Sequence, residues 1–412
     1  MWTLFLPYTL AIIGILTRSV TAHNPLPDAT AQIDNPLVID TFNDATFNNL
    51  GLWHGTGEEL IVQYNQGYVD FFPTNADQNY HTLVSPGCLD LEGSADSLYL
   101  HIQYDGTDKF SVSLNQANEE CTPGVRPFPE TWDTIEVSRY SKNGHIYVPI
   151  SHFGIDLKRV SSVSFHGFYT THKVRFYKVE FVNKLPKKFK IPKKLPTGEL
   201  VLKCKRPNSF AFGVDDGNPE LAQEVMKIFE DEGILVTFFT VGGGLDEPST
   251  NFTEVYGEMI RRGHQVALHT YSHPMMEGLQ STREIDSEIT KNIKTLKKQL
   301  GVESRYFRPP FGVFGARTRQ RLAALIDDPY IVQWSVDIED WLWAASNTPE
   351  KQVEAFQRDV DRGGNLVVMH YLSPATVQYF KQVIGIAKRA GKDIMRVDQC
   401  MEDPEAPPLE HE

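Results

Sequence analysis

Two rhythms of apolar and polar positions divide the chain. From residue 36 to about 183 the period is two. Leu98, Leu100, Ile102 and Tyr104 alternate with Tyr99, His101 and Gln103, and Phe110, Val112 and Leu114 continue the pattern. Further short runs at 145–149, 160–165 and 174–181 are separated by Gly, Asn, Asp and Pro. Many short alternating segments with no convincing helix predict an all-β sandwich. After Val201 the rhythm changes. Apolar runs at 210–214, 234–240, 265–269, 306–308, 330–337, 365–370 and 394–397 alternate with amphipathic stretches. Leu221, Val225, Ile228 and Phe229 share one helical face; Ile285, Ile289, Ile293, Leu296 and Leu300 share another. Strands alternating with helices predict an α/β architecture, here a distorted (β/α) barrel of about seven strands.

The two halves meet at KLPKKFKIPKKLP, residues 184–196, whose six lysines and three prolines predict a stiff, solvated connector. The expected organisation is a leader over 1–22, a β-sandwich over 23–183, a Lys/Pro-rich linker over 184–200, the α/β domain over 201–400 and an acidic tail over 401–412. Trp53, Trp132 and Tyr140 are candidate stacking platforms if the sandwich binds carbohydrate.

Composition narrows the function. The formal charge of −13 on 412 residues opposes a phosphate backbone, so no nucleic-acid partner is expected. The apolar run 3–16 followed by Val20-Thr21-Ala22 predicts a secretory signal peptide cut after Ala22. It is shorter than the roughly 17–25 residues of a membrane helix, and no later segment is a transmembrane candidate. Four cysteines suit an oxidising compartment, and spacing favours Cys88–Cys121 and Cys204–Cys400 among the three pairings. Asn251-Phe252-Thr253 is a glycosylation sequon. The expected protein is a secreted, extracellular or cell-wall monomer.

The candidate chemistry lies at strand ends. Buried parallel strands should be apolar, yet these finish in Asp215-Asp216, His269, Arg308, Asp337 and His370. In βα barrels, catalytic groups gather at the C-terminal rim. His269 and His273, four residues apart, present two imidazoles on one side, and a carboxylate completes a His₂Asp set suited to zinc. Cobalt, manganese and iron also accept those donors. A metal lowers the pKa of water it binds, and a neighbouring carboxylate can take the proton.

Five motifs occur in order: Asp215-Asp216-Gly217, HTYSH (269–273), RPPFG (308–312), DIEDW (337–341) and VVMH (367–370). Together they resemble the NodB-type polysaccharide deacetylases, carbohydrate esterase family four, and most of all the fungal chitin deacetylases. The resemblance covers about residues 210–397. It implies Asp215 as general base, Asp216, His269 and His273 as metal ligands, and Arg308 as the partner that orients Asp215. It further implies His370 as general acid tuned by Asp340, the backbone N–H of Phe311 as oxyanion donor, and Trp341 and Val368 lining an acetyl-methyl slot. The implied cofactor is Zn2+, with Co2+ as the alternative, and the implied substrate is a chitin-like polysaccharide. Gly213-Val214 replaces the usual Thr-Phe, Phe311 stands where Tyr is common, Met369 replaces Leu, and Tyr371 stands where fungal relatives often have Asp. None of these removes a reacting group. An O-acetyl esterase acting on xylan and a non-catalytic wall-binding protein are the competing readings.

Overall fold

The computed structural model describes residues 36–409; the expected signal peptide lies outside the described residues. The chain forms two compact units. Of the described residues, one unit gathers those up to Pro123 with Trp132–Leu195 and Phe314–Arg317, and the other holds Gly124–Thr131, Pro196–Val313 and those from Thr318 onwards.

In the first unit, antiparallel sheets of seven and five strands share one apolar core. Phe71, Phe176 and Ile102 enter it from the larger sheet, and Val112, Leu114 and Phe165 from the smaller. Cys88 and Cys121 are bonded here, and Cys204 and Cys400 in the second unit. The Lys/Pro-rich stretch is not simply solvated. Phe189 packs edge-on to Tyr147, Ile191 lies against the core, and Lys194 pairs with the buried carboxylate of Asp133. Its few apolar residues anchor it. Nor are two of the three candidate aromatic platforms open: Tyr140 is buried and bonds His152, and Trp132 stacks on Phe314.

The second unit contains nine parallel strands: β1 (Glu199–Val201), β2 (Ser209–Asp215), β3 (Thr237–Thr240), β4 (Gln265–Leu268), β5 (Tyr306–Phe307), β6 (Tyr330–Val332), β7 (Val336–Asp337), β8 (Leu366–His370) and β9 (Asp393–Met395). Their order is β1-β6-β5-β4-β3-β2-β8-β7, with β9 against β2. The central strands β2, β3 and β4 are buried along their whole length, as strands covered on both faces must be.

Nine strands replace the expected seven, for two reasons. Glu199–Val201 is too short to give a rhythm. The run 330–337 also breaks in two, because Tyr330–Val332 pairs near one end of the sheet and Val336–Asp337 at the other. Only Gln333-Trp334-Ser335 separate them, and a chain advances at most about 3.6 Å per residue. The two ends must therefore approach, so the sheet curls into a half-barrel.

Arg308 spans the gap. It is fully buried, and its Nε donates to Val332 O at 3.3 Å. Its Nη2 donates to Gln333 O on one side and to Val367 O on the other, each at 3.2 Å. Gly213 makes room for the guanidinium, since a Cβ there would stand 2.7 Å from Arg308 Cζ. The glycine that departs from the family pattern thus has a steric reason.

Candidate metal and acid–base site

Register places the reacting groups side by side. In the parallel ladder Asp215 aligns with His370 and Gly213 with Val368. Residues in register share a face, so Val368 and His370 turn to the side on which Arg308 meets Asp215. On the neighbouring pair Arg308 N bonds Leu268 O, bringing His269 and Arg308 level. All four positions lie at the C-terminal ends of strands, where such sheets place their sites.

Asp216, His269 and His273 form a group whose candidate donor atoms all lie within 4.8 Å of one another. His269 Nε2 is 3.7 Å from Asp216 Oδ1, and His273 Nε2 is 3.7 Å from Asp216 Oδ2. Two donors about 2.0–2.1 Å from one tetrahedral ion would stand roughly 3.3 Å apart, so this set can hold a zinc-like cation with little movement. The imidazoles are prepared for it. His269 Nδ1 donates to Arg308 O at 2.7 Å, which leaves Nε2 with its lone pair free. Burial pushes the His273 pKa down, favouring the neutral ring a metal requires.

The HxxxH pair sits on a turn and not on a helix. Thr270 and His273 have φ of 65° and 60°, and Asp216, Phe311 and Glu339 are also left-handed, at 55°, 62° and 53°. Such non-glycine conformations cost about 1–3 kcal/mol and persist only where the surroundings impose them. The supports are visible. Glu288 accepts from Tyr271 N and from the N–H and hydroxyl of Ser272. Asn292 Oδ1 accepts from His269 N while its Nδ2 donates to Thr240 O. Tyr256 OH donates to Asp216 O at 2.9 Å and accepts from Tyr371 OH at 3.3 Å.

Two carboxylates flank this group differently. Asp215 is buried, and its Oδ1 accepts from Arg308 Nη1 at 2.7 Å while Oδ2 lies 4.0 Å from His269 Nε2. Asp340 holds His370: Oδ2 accepts from His370 N at 2.7 Å, and Oδ1 lies 2.9 Å from Nδ1. Burial alone would lower the His370 pKa, but Asp340, aided by Asp215 and Asp216, raises it to about 10. The ring therefore carries its proton through neutrality, with Nε2 as the free donor.

Phe311 packs its ring edge-on to His273, with centroids 4.6 Å apart. Trp341 begins the turn after Asp340, donates its N–H to Asp340 Oδ1, and leaves its side chain exposed. Asp215, Asp216, His269, His273, Arg308, Phe311, Asp340, Trp341 and His370 lie on these strand ends or the loops that follow them, and Val368 lies within β8. The supporting groups Asn292, Glu288 and Tyr256 were not anticipated. Asn292 alone carried a signal, since the buried series 285, 289, 292, 296 has helical spacing with one amide where an apolar residue belongs.

A triad of donors that could hold a cation, a carboxylate bonded to arginine and an imidazole bonded to aspartate therefore share one rim. Residues 203–325 match the family model for polysaccharide deacetylase. The resemblance read from the five motifs is therefore borne out, and this stretch is a polysaccharide deacetylase domain. The peptidoglycan-N-acetylglucosamine deacetylase of Listeria monocytogenes is 28% identical over 222 residues, which is 53% of this chain and 43% of that protein. The chitin deacetylase of Pestalotiopsis sp. is 28% identical over 213 residues, 52% of this chain and 70% of that one. The solved chitin deacetylase of Colletotrichum lindemuthianum aligns over 53% of this chain and 100% of its own, at 25% identity and a TM-score of 0.47. Among the described residues no helix is long and apolar enough to cross a membrane.

Proposed function

We propose that the protein is a secreted, metal-dependent hydrolase that removes N-acetyl groups from an N-acetylglucosamine polysaccharide, chitin or its oligomers. The reading rests above all on the convergence of Asp216, His269 and His273 beside a carboxylate held by arginine and an imidazole held by aspartate. Asp216, His269 and His273 hold the ion, Zn2+ or alternatively Co2+. When bound, it supplies a Lewis acid for the amide carbonyl and lowers the pKa of water.

The chain's own residues perform the proton transfers. Asp215, held by Arg308 through Oδ1, takes the proton of the attacking water at Oδ2. The backbone N–H of Phe311 donates to the carbonyl oxygen as that oxygen gains charge. As the C–N bond breaks, His370 passes its Nε2 proton to the nitrogen, because an amide leaves readily only as the neutral amine. Val368 and Trp341 receive the acetyl methyl. The products are acetate and a glucosamine unit.

Acetate release from chitin tetramer by the metal-loaded protein, abolished by a chelator and restored by zinc or cobalt, is the expected result. No release from any acetylated glycan sinks the reading. Acetylxylan run in parallel separates amide from ester hydrolysis.

Asp340→Asn tests the acid. Only the imidazolium is active, so activity is present below the folded-state pKa of His370 and lost as pH rises through it. The cation's charge offsets Asp215 and Asp216, which leaves Asp340 as the partner that matters. The variant's alkaline limb in kcat should move down by at least about one pH unit, with an activity loss on the order of tenfold to a hundredfold. An unmoved limb refutes the role of Asp340.

A further inference from the structure

The direction in which the substrate leaves the site can be read from the acid. The carbonyl must face the metal triad, so the nitrogen faces His370, and the sugar carbon bonded to that nitrogen emerges on the same side. Two large apolar side chains are exposed beside it. Trp341 and Leu372 are 42% and 53% exposed. Each lies within two residues of the Asp340–His370 pair, which two hydrogen bonds hold together.

A single exposed leucine is ordinary. This one is held out by its neighbours. Tyr371 before it is fully buried, with its carbonyl accepting from Asn218 N, and Ser373 after it caps the turn Pro374–Val377 through Ala375 N. The backbone is pinned on both sides of a side chain that stays more than half exposed. Pyranose rings present flat C–H faces, which bind against such apolar lips beside a polar reaction centre.

We propose that Leu372, with the outer face of Trp341, is the specificity-determining lip that seats the pyranose ring bearing the scissile acetamide. Val368 at the floor and the inner face of Trp341 are left to meet the methyl. The inference rests on the deacetylase reading above. Leu372 acts on binding of the sugar and not on bond breaking, so Leu372→Ser should raise KM for chitin tetramer roughly fivefold, the size expected for one lost apolar contact. Its kcat should stay within about twofold, and Leu372→Met should restore KM. Hydrolysis of 4-nitrophenyl acetate, which has no sugar ring, should not change.

An unchanged KM, or an equal loss on tetramer and aryl acetate, overturns the proposal. Should the wild type release no acetate from any glycan, the function reading falls. Equilibrium binding of chitin tetramer to the wild type and Leu372→Ser then decides the lip separately: a weaker affinity in the variant supports it, and an equal affinity overturns it.

Discussion

Asp215→Asn is expected to lower kcat by two to four orders of magnitude while leaving the bound metal in place, whereas His269→Ala should lose the metal itself. General-base catalysis contributes about 10²–10⁴-fold, which sets the first magnitude. The two aspartates are adjacent in sequence but differ in surroundings. Asp215 spends one oxygen on Arg308, and asparagine keeps an acceptor there while losing the basic oxygen. Asp216 offers one oxygen to each histidine. His269 cannot be spared, since it supplies one of two nitrogens and is oriented by Arg308 O and Asn292. Metal content and acetate release measured on both purified variants decide the matter. If both lose metal equally, the roles assigned to Asp215 and Asp216 are wrong, a live question because Asp215 Oδ2 is itself only 4.0 Å from His269 Nε2.

What the sequence made legible was chemistry that breaks a pattern. An ionisable group at the end of an apolar strand stands out, and Asp215, His269, Arg308 and His370 all did so. Both disulfides followed from spacing. Groups that break no pattern stayed hidden. Glu288 sits on a helix surface like any solvated acid, and Tyr256 passes for a core aromatic until its hydroxyl reaches Asp216 O. The run 330–337 looked like one strand because five of its eight residues, Tyr330, Ile331, Val332, Trp334 and Val336, are apolar or aromatic. Only three-dimensional pairing reveals that Gln333-Trp334-Ser335 carry the chain across the gap. Lysine density hid the two residues, Phe189 and Ile191, that dock the connector.

Arg308→Met gives the largest expected loss of stability, because the side chain serves the fold and the site at once. Its guanidinium satisfies three carbonyls, Val332 O, Gln333 O and Val367 O, and neutralises Asp215 in a fully buried position. Methionine fills similar space with no donor. It leaves a buried carboxylate unpaired, which costs about 3–5 kcal/mol. At roughly 2–4 °C per kcal/mol for a unit of 150–250 residues, Tm should fall on the order of 10 °C. A thermal melt measures it. Removing both partners of a buried pair costs less than removing one, so Arg308→Met combined with Asp215→Asn should be more stable than Arg308→Met alone. That recovery separates the ion pair from the carbonyl bridge. Full recovery would mean the stability resides in the pair, and none would mean that it resides in the three carbonyls across the gap. Because the bridge and the pair are both present, partial recovery is the expected result, and a single variant indistinguishable from wild type would rule out both.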